Sequence, residues 1–107
     1  LFDCNMDAIL VADTERRITD ANPAFETLFG YRLDELKGEN TSEIYAEQKE
    51  HAGMGDSLRQ QNPEGGIIKT IQYKKKDGTV FPGETSAFHL KDSNGDLRAF
   101  VGLIREK

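Results

Sequence analysis

Lys69 stands on one face of an extended run together with Ile67, Ile71 and Tyr73. An unpaired ammonium among apolar side chains is costly to bury, so Lys69 either meets an anion, as a carboxylate or phosphate anchor would, or snorkels to water along its own stem near the strand end. Arg98 alternates with Phe100 and Gly102 and is a second basic candidate, for a pocket mouth or for a surface charge at a strand start. His51 shares a helical face with Met54 and Leu58, at i, i+3 and i+7. Its ordinary reading is a partly buried histidine. On the run that follows Thr79, alternation puts Phe81, Gly83, Thr85, Ala87 and His89 on one face, and Pro82, Glu84, Ser86, Phe88 and Leu90 on the other. Thr85 offers a hydroxyl to a ligand.

The chemistry that is missing narrows the function. No Ser-His-Asp order carries nucleophile-elbow glycines, and there is neither a phosphate loop nor an HExxH pair, so no enzyme is expected from these residues. Cys4 is the single cysteine, which excludes an internal disulfide, a CxxC pair and a thiolate-rich zinc site; no metal is expected, and the compartment is expected to be reducing and cytoplasmic. A net charge of −5 repels a phosphate backbone, so no nucleic-acid partner is expected. The basic run Lys74 to Lys76 meets Asp77 at once and reads as a solvated hairpin end. No apolar stretch reaches membrane-span length and no signal-peptide pattern opens the chain, so no membrane contact is expected of it.

The elements that must hold these residues follow from pattern. With 107 residues, 36% hydrophobic and 31% charged, the chain is long enough for one globular domain, residues 1–107, and too short for two. It opens without Met and stops on a strand-like run, the look of a piece excised from a longer protein. Ala8 to Ala12 and Arg17 to Ala21 form an opening hairpin around a turn at Asp13 to Arg16. Asn22-Pro23 starts a helix with Phe25, Leu28 and Phe29 on its apolar side, and Gly30 closes it. Residues 32 to 46 read as further short helices anchored by Leu33, Leu36, Ile44 and Tyr45. A longer helix spans Ala46 to Gln61, weakened by Gly53 and Gly55 at about 1 kcal/mol each relative to Ala. From Gly66 the period becomes that of strands, Ile67 to Lys75, Thr79 to Leu90 and Leu97 to Arg105, joined by Asp77-Gly78 and Asn94-Gly95 turns. The expected architecture is α+β: a five-stranded antiparallel sheet with short helices on one face.

Five segments, in order and spacing, resemble bacterial PAS domains of the sensory-box type: Asp7-Ala-Ile-Leu-Val-Ala-Asp13, Ile18 to Phe25, Phe29 to Gly38, Lys75 to Pro82 and Phe100 to Arg105. The resemblance covers nearly the whole chain. It implies a sheet cupped around short helices with a ligand pocket between them, in a signal-transduction protein such as a two-component histidine kinase, a cyclic-dinucleotide enzyme or a chemoreceptor. It also implies that Gly83, Thr85 and Ala87 look inward. The pocket is then expected to be lined by Met54, Leu58, Lys69, Ile71, Tyr73, Gly83, Thr85, Ala87, Arg98, Phe100 and Gly102, with bulkier neighbours such as Phe100 and Ile104 filling that space as the other reading. The expected ligand is a small metabolite such as an organic acid. Two alternatives stand beside it: a haem-based gas or redox sensor using His51, and a ligand-free dimerisation module with Phe88 and Leu90 as its outer seam. Covalent flavin chemistry is not expected, because Cys4 lies outside the helices. Arg105 and Glu106 resemble the pair that ends such domains and passes the signal on, and a homodimer is expected in the parent protein.

Overall fold

A computed structural model describes residues 7–60 and 67–107. The opening hairpin is β1 (Ala8–Asp13) and β2 (Ile18–Ala21); α1 (Pro23–Phe29), α2 (Leu33–Leu36), a 3-10 turn (Thr41–Ile44) and α3 (Gln48–Gln60) follow. The chain ends in β3 (Ile67–Lys74), β4 (Val80–Lys91) and β5 (Leu97–Glu106). All strand pairs are antiparallel, in the order β2-β1-β5-β4-β3, so the first and last strands are neighbours and β5 is central. This is the α+β arrangement expected from the pattern. Cys4 and the helix end expected at Gln61 lie outside the described residues.

Local chemistry explains the boundaries. The Asn22 side-chain oxygen accepts from the amides of Phe25 (3.0 Å) and Ile9 (2.9 Å), while its Nδ2 donates to the Asp7 carbonyl (3.0 Å). One amide therefore caps α1 and ties it to β1. Phe25 and Phe29, one turn apart, are fully buried and stacked with ring centroids 4.4 Å apart. At the β4–β5 end, Asp92 accepts from Asn94 and Asp96 amides, and Gly95 takes φ +85°, a conformation with little cost for glycine. Gly83, Thr85 and Ala87 are buried on the helix-covered face. On the opposite face Leu90, Ile68 and Val80 are exposed.

Candidate functional site

The helix layer meets the sheet in two different ways. Toward the β3 edge the space is filled by rings: Phe29 packs edge-on against Tyr73 (5.4 Å) and Phe81 (5.3 Å). Gly83 serves this packing, since a Cβ there would lie 2.7 Å from Tyr73 Cδ2. Toward β1 and β5 the small residues Ala12, Ala87 and Gly102 face Ile44, Met54 and Leu58, and a cavity of about 50 Å³ remains. That is room for a few waters or a small molecule, and far below the roughly 300–1,000 Å³ of drug-sized sites.

Five polar side chains reach this cavity: Arg16, Thr41, Tyr45, Tyr73 and Thr85. The Thr85 hydroxyl donates to the Gly83 carbonyl (3.3 Å), so the Tyr73 hydroxyl, 2.6 Å away, donates to Thr85. Burial raises the Tyr73 phenol above its ordinary pKa and, with Arg16 opposing, that of Tyr45 as well. Both therefore stay neutral and can act as donors. Arg16 Nη1 donates to the His51 carbonyl (2.7 Å) and Nη2 to the Tyr45 hydroxyl (3.1 Å), with the guanidinium carbon 5.7 Å from the Tyr45 ring centroid. The backbone behind it is fixed, because the Arg16 amide donates to Asp13 O and its carbonyl accepts from Thr41 N.

His51 turns away from the cavity. Its Nε2 is 2.9 Å from Thr41 Oγ1 and its ring stands edge-on to Tyr45 at 4.9 Å. Burial, and then the nearby Arg16 charge, lower its pKa to about 4, so the ring is neutral near pH 7. A haem does not fit this arrangement: the cavity is too small for the macrocycle, and the nitrogen that would bind iron is engaged by Thr41. The isoalloxazine of a flavin exceeds the same space. Among the described residues no group of three or more His, Cys, Asp or Glu side chains could hold a metal ion.

Of the residues expected at the pocket, Met54, Leu58, Tyr73, Thr85, Ala87, Phe100 and Gly102 come together around the cavity. Ile71 is buried in the core away from its lining, and Gly83 is occupied by the Tyr73 ring. Lys69 is half-buried on the covered face, off the lining and with no ion-pair partner among the described residues. Arg98 does not reach the pocket mouth: it lies at the hairpin end, beside the register shift at Leu90/Lys91, and pairs with Asp92 at 2.8 Å with 68% of its side chain exposed. Arg105 pairs with Asp7 at 3.1 Å across 98 residues of chain, and Glu106 is exposed beside it. Sequence reasoning missed Arg16 as a site residue and gave Tyr45 only as a core anchor. Neither Arg16's turn conformation nor its reach under α3 is visible in a pattern of polarity.

A five-stranded antiparallel sheet is thus cupped over short helices, with a small polar-tipped cavity between them. Residues 6–106 match the family model described as PAS domain, and the chain belongs to that family. It is 33% identical over 100 residues to human high affinity cAMP-specific and IBMX-insensitive 3',5'-cyclic phosphodiesterase 8A, matching 92% of this chain but 12% of that protein. The PAS domain of a protein from Colwellia psychrerythraea superposes with a TM-score of 0.86 at 24% identity, covering 99% of this chain and 90% of that one. A light-oxygen-voltage domain studied with a flavin analogue gives 0.82 at 20% identity, covering 99% and 81%. These last two likenesses concern the fold.

Proposed function

We propose that this PAS domain is the sensory part of a larger signalling protein, that it holds a small metabolite such as an organic acid in the cavity between β1, β5 and α3, and that it relays occupancy to an output domain. The observation that carries this reading is the cavity itself, apolar for most of its wall with a few convergent polar groups, the composition that small-ligand sites need. The output, a kinase, cyclic-nucleotide or cyclic-dinucleotide enzyme or chemoreceptor domain, lies outside these residues. The 12% share of the phosphodiesterase relative that the chain matches supports a modular parent. Relay through the end of β5 is supported by the Arg105–Asp7 pair, which ties the last strand to the start of the first. The exposed Leu90, Ile68 and Val80 on the outer face favour self-association of the parent as well.

A thermal-shift screen of small acids, amides and alcohols tests the reading. A probe at 100 times its Kd adds about 2.7 kcal/mol, on the order of 10 °C in a domain of this size. Gly102→Val, placed where a Cβ would meet only the Leu10 carbonyl at 4.0 Å, fills the cavity and is expected to abolish the shift. An equal shift in that variant, or no shift with any probe, overturns the reading. In the full-length parent, Arg105→Ala with Glu106→Ala is expected to uncouple the regulated output; unchanged regulation excludes this route.

A further inference from the structure

Two local rules of backbone chemistry are broken within reach of each other. Arg16 is the one non-glycine residue with positive φ among the described residues, at 65°. That conformation costs a residue with a Cβ roughly 1–2 kcal/mol and is normally left to Gly or Asn. Gly55 is buried in the middle of α3, where glycine costs about 1 kcal/mol relative to Ala. The structure connects the two: a Cβ on residue 55 would stand 2.9 Å from Arg16 Nη1. The strained turn aims the side chain beneath α3, and the glycine leaves it the space. Such paired local costs gather where a site requires them.

Among the described residues no carboxylate pairs with Arg16, and Glu50, whose charge reaches Tyr45, accepts from the Gln72 amide instead. Arg32, Arg59, Arg98 and Arg105 each pair with an aspartate. Arg16 has a carbonyl and a phenol, which use two of its five N–H donors. Among the described residues it is the sole charged one of the cavity lining, and none of them there is an acid. The groups packed around it are the neutral Thr41, Tyr45, His51 and Tyr73, and Arg59 adds a like charge. Burial accordingly lowers its pKa from the ordinary value while leaving it protonated. A desolvated cation with no ion-pair partner among the described residues, at the edge of an apolar cavity, is half of an ion pair.

We propose that Arg16 is the anchor of a small monocarboxylate of about two to four carbons, the size a cavity of about 50 Å³ admits. The carboxylate takes the free N–H groups of the guanidinium, and the alkyl part lies against Ala12, Ala87 and Gly102. This rests on the ligand-binding reading above and gives it a charge class and a residue that neither Lys69 nor Arg98 supplies.

The test uses acetate and propionate against their neutral isosteres acetamide and propionamide, titrated into the domain and followed by amide and arginine Nε–H shifts in NMR. Propionate is expected to bind at least 10-fold more tightly than propionamide. Arg16→Gly removes the guanidinium while relieving the positive φ, so folding is preserved, and it is expected to weaken propionate about 10- to 100-fold, the size of a lost charge-assisted hydrogen bond. Gly55→Ala keeps the charge but displaces the guanidinium, and is expected to weaken the acid without changing the amide. If propionamide binds as well as propionate, or propionate binds equally to Arg16→Gly, the anchor is wrong and the cavity reading stands. If none of the four probes binds, the anchor is likewise wrong, and the wider thermal-shift screen decides the cavity reading.

Discussion

Gly83 and Gly102 occupy the same covered face of the sheet, yet one is filled and the other is open. Opposite Gly83 on β3 is Ile71, and the diagonal neighbour Tyr73 leans its ring onto the glycine, where Ile104 Cγ2 would also press on a Cβ at 3.1 Å. Beside Gly102 stand Leu10 and Ala87, whose side chains run parallel to the missing one, so nothing crosses over it. A small residue in a strand permits a space; whether the space survives depends on an aromatic within diagonal reach. The half with Phe25, Phe29, Tyr73 and Phe81 is interlocked, and the half with Ala12, Ala87 and Gly102 is held open at its edge by Arg16 and Tyr45.

Substitutions can break or sharpen this contrast, and the largest effect belongs to the interlocked half. Phe29→Ala, removing a fully buried ring with three aromatic neighbours, is expected to cost about 3–5 kcal/mol in urea unfolding. Gly83→Ala is expected to cost about 1–3 kcal/mol, because Tyr73 must leave its place in a packed core.

The open half has a pH response of its own. With the folded pKa of His51 near 4 and its ordinary value 6.5, the unfolded chain takes the proton first as pH falls. Its contribution is whole above pH 6.5 and lost between about 6.5 and 4; solvent screening of the half-exposed ring holds it to about 1 kcal/mol. His51→Gln should flatten the stability slope in that window. Glu35, Asp77 and Asp92, whose pKa values are held below the ordinary carboxyl range by hydrogen bonds to backbone and side-chain donors, act only at lower pH. The smallest effect is that of Gly102→Ala, within about 0.5 kcal/mol of wild type, since its Cβ enters open space. A cost equal to that of Gly83→Ala would erase the distinction between the halves.

The fold was legible because each element carried its own punctuation: Asn22-Pro23 and Gly30 bound α1, and the two hairpins from β3 to β5 sit where Asp77-Gly78 and Asn94-Gly95 promised them. Period-2 alternation put Thr85 and Ala87 on one face, and the resemblance to PAS domains said which face is covered. The site was legible only where strand parity decides it. Parity cannot tell that Tyr73 would cover Gly83, nor that Arg98, at the hairpin end, would find Asp92 before any pocket. Arg16 was invisible for another reason. Its role depends on a backbone angle and on a glycine 39 positions later, two departures that read from sequence as an ordinary polar turn and a weak helix.

The Asp7–Arg105 pair has a mechanical consequence. Ala8 lies opposite Ile104 and Asp13 opposite Ala99, so residues 7 and 105 sit at one end of the central β1–β5 ladder. Opposed pulling on segments joined there would meet an exposed ion pair of about 1 kcal/mol or less together with the Asn22–Asp7 and Lys107–Pro82 hydrogen bonds, and then the rungs between β1 and β5 one at a time, as in a zipper and not in shear. Because Leu10 and Ala12 of β1 wall the cavity, tension drawn through that end of the ladder would peel away one side of it, and a ligand bridging β1 and β5 would in turn resist the pull.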